Sequence, residues 1–267
     1  PRLNEVAQAE VTARHVGTTP VVVKVGAEEV LNTYPRLIRA AESPVVDTSC
    51  TALLLLAQEV HAHGYKVALT GEGADEWLAG YSWHKINKAL GLLDFVPGLG
   101  FSRVLRGLLM HVLGGGLPKD YVRRAERAVG GRNGWHDVYG LMSLSRQRFY
   151  SPWMKEAVKD HVPFEDLGFD PERMRRWHPL NRELAVSGRC HLAGHLLNAK
   201  GDRVAMHSSV ETRYPFLDEA VVAFLAKVDP RWKLRGFREK ALLRKTAERW
   251  LPREVAWRRK GMFRAPL

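Results

Sequence analysis

Cysteine is nearly absent from this chain: Cys50 and Cys190 are the only two in 267 residues, and they stand far apart. No Cys-x-x-Cys pair and no Cys/His zinc spacing occurs. A disulfide scaffold and a zinc ribbon are therefore excluded, and a reducing, cytoplasmic setting is the expectation. Long hydrophobic runs are missing too. The most apolar stretch, residues 90–117, is broken by Asp94, Pro97, Arg103, Arg106 and several glycines. It is too interrupted to span a bilayer, so no membrane partner is expected. It reads instead as a buried or partner-facing helix pair. No signal peptide is legible at the start. Acidic residues are in short supply, 29 against 41 Lys and Arg, a formal charge of +12. Such an excess favours anionic partners such as nucleotide phosphates. The basic residues are scattered, not gathered in a stripe, so a generally basic surface explains them equally well and nucleic acid is disfavoured.

The chain has apolar material enough for a core, and its first third follows a strand–helix rhythm. Val21-Val22-Val23-Lys24-Val25 is short and β-branched and reads as a strand. Residues 28–41 read as a helix that Pro35 must start or kink. Asp47-Thr48-Ser49 supplies a cap for a long apolar helix that His63-Gly64 stops. Lys66-Val67-Ala68-Leu69 reads as a buried parallel strand. The series predicts an α/β fold with a parallel sheet covered by helices. Beyond Gly80 no strand pattern is convincing, and helical texture dominates to the end. Gly114-Gly115-Gly116 lacks a following Lys-Ser/Thr, so it is a turn and not a P-loop. Residues 130–134 read as another loop. There is no internal repeat.

Thr70-Gly71-Glu72-Gly73-Ala74-Asp75-Glu76 carries the chemistry. It follows the strand at 66–69, and ligands of open α/β sheets sit beyond the carboxyl ends of strands. Its glycines let backbone amides approach a phosphate. Three carboxylates in five residues repel one another unless a cation or substrate balances them. The plain alternative is a helix whose first turn carries acids, which suits Glu76 best. His191 and His195 stand at i, i+4, but Leu-Ala-Gly separates them from any metalloprotease pattern, and they read as a structural pair. Trp77, Trp83, Trp135 and Trp153 read as core or interface residues.

Four segments together resemble glutamine-dependent asparagine synthetases. TGEGADEWLAGY (70–81) is similar to that family's Ser/Thr-Gly-Glu/Asp-Gly-x-Asp-Glu-x-x-x-Gly-Tyr motif. GDRVAMHSSVETRYPFLD (201–218) is similar to its Asp-Arg-x-x-Met-x-x-x-x-Glu-x-Arg-x-Pro-Phe-Leu-Asp block, KALLR (240–244) with Leu251-Pro252 to its Lys-x-x-Leu-Arg segment, and Arg258 to Phe263 to its Arg-x-Lys-x-x-Phe tail. The order and spacing agree. The resemblance covers about 15–81 and 180–267. Residues 82–179 then stand as a helical insert within a partial synthetase (ATP-pyrophosphatase) domain spanning 1–267.

The resemblance implies an adenine-nucleotide α-hydrolase type of fold, with a largely helical C-terminal part. It implies ATP and Mg²⁺ as cofactors. Aspartate would be converted to asparagine through β-aspartyl-AMP, with release of AMP and pyrophosphate. Ammonia would come from glutamine, through an N-terminal glutaminase domain, and a homodimer is open to the family. By the same resemblance Thr70 and Gly71 contact the nucleotide, Glu72 takes part in adenylate formation and accepts a proton at amine attack, and Asp75 ligates Mg²⁺. Lys240 neutralises phosphate charge, Asp202 lines the cleft in a supporting or proton-relay role, and Lys260 with Arg258 holds pyrophosphate. Lys240, Arg258 and Lys260 could instead be solvated surface cations, and Glu211, Arg213 and Asp218 read as scaffold around the turn at Pro215-Phe216-Leu217.

There are departures from the pattern. The family's Ser-Gly-Gly-x-Asp-Ser loop is not in this chain, which begins with Pro1. A fragment of a longer protein is the expectation, with little ATP-dependent turnover by itself. Gly17-Thr18-Thr19-Pro20 lacks the His-x-Glu that many relatives carry next, and Ala41-Glu42-Ser43-Pro44 replaces their Asp-Glu-Pro. Substrate choice is thereby open. The alternatives are a β-lactam-forming or peptide-cyclising adenylating relative, and a non-catalytic basic nucleotide- or nucleic-acid-binding module.

Overall fold

The computed structural model describes residues 4–45, 47–94, 100–114, 118, 120–147, 149–261, 263 and 265. The chain divides into two compact units, Pro1–Gly80 with Gly188–Leu267, and Tyr81–Ser187.

The first unit opens with α1 (Val6–Val16). The expected strand at 21–25 does not form; Val21 and Val22 are 57% and 43% exposed. A β-branched run becomes a strand only when another strand receives its hydrogen bonds. No strand of the described residues lies beside it. α2 (Ala27–Ala41) contains Pro35. The N–H that proline lacks would have served the Leu31 carbonyl, and Leu31 is 74% exposed, so water can serve it instead. The opposite face of α2 packs Leu37, Ala40 and Ala41 against Cys50 and Leu54 of α3 (Ser49–Ala62), with Ala199 and Val204 completing the core. Asp47 opens α3 by accepting the Ser49 N–H at 2.9 Å.

β1 (Val67–Leu69) follows, and then the one-turn α4 (Ala74–Trp77). β1 is parallel, as its sequence predicts, but it is not buried: Val67 is 46% and Leu69 76% exposed. Among the described residues its ladder runs to a single partner.

The second unit is helical throughout its described residues: α5 (Ser82–Leu93), α6 (Phe101–Gly114), α7 (Tyr121–Ala128), α8 (Gly134–Gln147), α9 (Pro152–Val158), a 3₁₀ turn at Pro163–Leu167, α10 (Pro171–Arg175) and α11 (Pro179–Ser187). Of the helix pair expected at 90–117, α6 lies within the stretch, whereas α5 enters it only with its last turn. α6 leaves Val104, Leu108 and Val112 69%, 60% and 70% exposed, so it is not the buried helix that the stretch could also have been. The predicted turn at Gly114-Gly115-Gly116 falls largely outside the described residues. This unit is tied by buried polar groups. Glu183 is fully buried; it accepts from Asn87 Nδ2 at 2.8 Å and from the Gly134 N–H at 2.9 Å, which fixes the start of α8. Trp83 and Trp135 are buried, while Trp153 is exposed.

The chain returns to the first unit through π-helical turns at Gly188–Leu196 and Asn198–Asp202, then α12 (Arg203–Met206) and β2 (Glu211–Arg213). β2 pairs in parallel with β1, Val67 opposite Glu211 and Leu69 opposite Arg213. This corrects the sequence reading, which placed no strand after Gly80. Glu-Thr-Arg has no apolar pattern to betray it; the ladder alone makes it a strand. α13 (Glu219–Lys227), capped by Asp218, and α14 (Pro230–Lys233) lead to the hairpin β3 (Leu234–Arg235) and β4 (Arg238–Glu239). α15 (Ala241–Ala247) and α16 (Arg253–Ala256) end the unit. No described helix is long and apolar enough to cross a membrane.

Candidate functional site

The β1–β2 ladder continues one step past its strands, where the Thr70 N–H donates to the Arg213 carbonyl at 2.9 Å. Thr70 and Gly71 thus stand at the carboxyl end of β1. The chain then turns into α4, where Glu76, itself buried, accepts the Gly73 N–H at 2.9 Å. Glu76 is the capping acid of this turn. Its neighbour Asp75 faces a different task.

Lys240 and Lys260 converge on Asp75. Lys240 Nζ lies 2.8 Å from Oδ1 and Lys260 Nζ 2.9 Å from Oδ2. Burial would raise the Asp75 pKa, but the two ammonium groups prevail and hold it below the usual carboxylate range. Burial pushes the Lys240 pKa down despite that carboxylate, helped by the like charge of Lys260. Lys240 is not a solvated helix lysine. It precedes α15 with φ 52°, and its N–H donates to the Leu78 carbonyl at 3.0 Å, which pins it beside α4.

Gly80 completes this arrangement. A Cβ there would stand 1.7 Å from Asp75 Oδ1 and 2.5 Å from Lys240 Cε. Only a bare Cα lets the carboxylate and the lysine stem lie against it. The glycine of the Gly-Tyr pair in the 70–81 motif was the signal for this, although it assigned Gly80 no task.

Two further motif atoms are buried and lack partners among the described residues: Thr70 Oγ1 and Glu72 Oε2. Unpaired buried oxygens are costly, and where they occur together they commonly await a ligand, water or ion.

Asp202 sits in a second cluster. Its Oδ1 accepts from Thr212 Oγ1 at 2.7 Å and from the Tyr214 hydroxyl at 2.6 Å. Burial, the bond to Asp202 and the charge of Glu72 all raise the Tyr214 pKa above the ordinary phenol value. Glu72 therefore lies within electrostatic reach of this cluster. Among the described residues no hydrogen bond or ion pair joins Asp202 to Asp75. Tyr214 and Thr212 were not singled out by the sequence reading, though both lie within the 201–218 block.

Arg258 departs from the expected phosphate grouping with Lys260: its guanidinium faces Glu5, at 3.9 Å, and its carbonyl accepts from Arg244. Arg213 pairs with Glu211, and Asp218 caps α13, as scaffold residues would. His195 lies 3.4 Å from Asp47, which also takes Lys200 Nζ at 2.9 Å. Burial and the neighbouring His195 and Lys200 bring the His191 pKa down to about 4. No group of three or more His, Cys, Asp or Glu side chains able to hold a metal occurs among the described residues. Both cysteines are unpaired with each other, and burial pushes the Cys50 thiol up to about 12.

The asparagine synthase family model matches residues 1–267. The chain is 26% identical to asparagine synthetase [glutamine-hydrolyzing] 1 of Bacillus subtilis, over 99% of this chain and 40% of that protein. It is 27% identical to a putative asparagine synthetase [glutamine-hydrolyzing] of Mycobacterium bovis, over 99% and 39%. A similar likeness, 27% over 94% and 40%, is to amidase chyE of Penicillium rubens. The chain spans about 40% of the length of these relatives. With one model covering it from end to end, and its α/β core and motif cluster arranged as described, the chain belongs to the asparagine synthase family.

Proposed function

We propose that this chain supplies the synthetase chemistry of an ATP-dependent amidation: aspartate is converted to asparagine through β-aspartyl-AMP, AMP and pyrophosphate are released, and glutamine is the source of ammonia. The observation that carries the reading is the Asp75–Lys240–Lys260 cluster, one carboxylate under two lysines, with two unpaired buried oxygens, Thr70 Oγ1 and Glu72 Oε2, in the same 70–76 stretch. A basic binding surface has no need of a buried carboxylate under two lysines.

The residues suit a nucleotide with Mg²⁺. Magnesium is usually held by one or two carboxylates with phosphate oxygens and water filling its other positions, so Asp75 would hold it. Bound there, the ion would offset phosphate charge. Thr70 and Gly71 meet the nucleotide at the strand end. Lys240 and Lys260 are donors to phosphate oxygens once their carboxylate is otherwise engaged. Glu72 receives the proton that an attacking amine must lose. Asp202, steadied by Thr212 and Tyr214, passes protons or fixes the acceptor. The adenine-nucleotide α-hydrolase type of sheet, and 82–179 as an insert in one synthetase domain, belong to the same proposal.

The fungal relatives named amidase favour a second reading, the same adenylating chemistry on another carboxylate. The complete protein that carries this chain separates the two. Pyrophosphate release is measured with ATP, Mg²⁺ and ammonia, with and without aspartate. Aspartate-dependent release with asparagine formed supports the first reading. Release that ignores aspartate moves the acceptor elsewhere, and no release with any carboxylate sinks both.

A further inference from the structure

Arg182, on α11 of the helical unit, is a buried cation whose charge no described residue meets directly. Its residue exposure is 7%, and its guanidinium makes no hydrogen bond or ion pair among the described residues. Nε is wholly buried without a partner. The acids around it are spent. Asp94 accepts from the Ser102 N–H and hydroxyl and pairs with Arg132. Glu126 pairs with Arg103 and Arg106, and Glu183 serves Asn87 and the Gly134 N–H. An unmet guanidinium in such a place is costly, and a buried group left so calls for a partner.

The Arg182 head lines a cavity of about 230 Å³ that Arg103 and Arg132 share with Asp94, Glu126 and Gly131. Gly131 is there for a reason of space. Its φ is +141°, and a Cβ would fall 2.7 Å from Arg182 Nη2 and 2.8 Å from Cζ. Only a bare Cα at 131 leaves room for the guanidinium, whose Nη2, Cζ and Nη1 would all lie within 3.2 Å of a Cβ. The volume is below that of ordinary drug-sized sites, roughly 300–1,000 Å³, so a nucleotide is too large.

We propose that this cavity binds a small monocarboxylate, with its two oxygens on the Arg182 fork. A planar guanidinium matches a planar carboxylate through two parallel hydrogen bonds. Asp94 and Glu126 offset two of the three guanidinium groups in the wall, Arg103, Arg132 and Arg182, leaving one net positive charge, which a singly charged carboxylate neutralises. The site lies within one unit and owes nothing to the Asp75 cluster.

The test is isothermal titration calorimetry on the complete protein, with propionate and with inorganic phosphate at ionic strength matched by sodium chloride. One saturable propionate site is expected, at least tenfold weaker in Arg182→Met and in Arg182→Lys, which keeps the charge but loses the fork. Arg182→Met without propionate is expected to melt no lower than the parent, because it removes an unmet buried charge. Absence of propionate binding, binding unchanged in both variants, or tighter binding of phosphate overturns the proposal. If Arg182→Met does not fold, Arg182→Lys decides.

Discussion

Lys240 reaches Asp75 from 165 residues further along the chain, its Nζ 2.8 Å from Oδ1, and it does so from a left-handed backbone position. Lys260 takes the second Asp75 oxygen, and the charge of the neighbouring Glu76 also acts on Lys240.

Asp75→Asn tests that dependence. The variant leaves two ammonium groups facing a neutral amide. Breaking a fully buried pair costs 3–5 kcal/mol, but the side chains of Asp75, Lys240 and Lys260 retain 15%, 18% and 32% exposure. A loss of about 2 kcal/mol in denaturant unfolding is expected. Pyrophosphate release should fall by about 10²–10³-fold, the scale of losing one charge-stabilising group. Near-parental turnover would remove Asp75 from the site.

Gly80→Ala probes position without touching charge. The new Cβ overlaps the ends of two side chains, Asp75 Oδ1 and Lys240 Cε, and not backbone. Those ends can swing aside, so circular dichroism should report an intact fold. The carboxylate moves by about 1 Å, and displacements of that size can cost about 10²-fold in rate. Unchanged turnover would show that Asp75 needs no fixed position.

Tyr214→Phe addresses the second cluster. It deletes the 2.6 Å bond to Asp202 together with the hydroxyl's 2.6 Å contact with Thr212, and leaves the Thr212–Asp202 bond in place. Stability should fall by about 1 kcal/mol, one net hydrogen bond. If Asp202 acts in the reaction, the pH profile of turnover shifts; a change in melting temperature alone would make Asp202 a structural acid.

Acid sensitivity follows from His191. Its folded pKa, about 4, lies below the ordinary 6.5. The unfolded chain therefore binds the extra proton first, and stability is lost as pH falls from about 6.5 toward 4. The shift corresponds to roughly 3 kcal/mol over that window. Asp75 and Asp47, whose pKa values are lowered, add losses only below the ordinary carboxylate range. Urea unfolding of His191→Gln between pH 4 and 7 should show a flatter dependence than the parent; equal slopes would contradict the assignment.

Periodicity and caps made α2, α3 and β1 legible in sequence, because each buries a local apolar face or ends on a strong breaker such as His63-Gly64. β2 was illegible, since Glu211-Thr212-Arg213 is a strand only through its ladder to Val67 and Leu69. The run at 21–25 misled for the converse reason: propensity without a neighbour makes no strand. At the candidate site the 70–76 stretch announced itself by its acids and glycines. No local rule could say that Lys240 and Lys260 meet at one carboxylate while Arg258 turns to Glu5; that is decided by the left-handed entry to α15 and the Lys240–Leu78 backbone bond.

The cluster also sets a clock on biosynthesis. Asp75 and Lys260 are 185 residues apart. At 5–20 residues per second of translation, the carboxylate emerges roughly 10–40 s before its second lysine exists. For the earlier part of that interval, before residues 211–213 are made, the nascent 70–76 segment is a strip of three acids beside an unpaired strand edge.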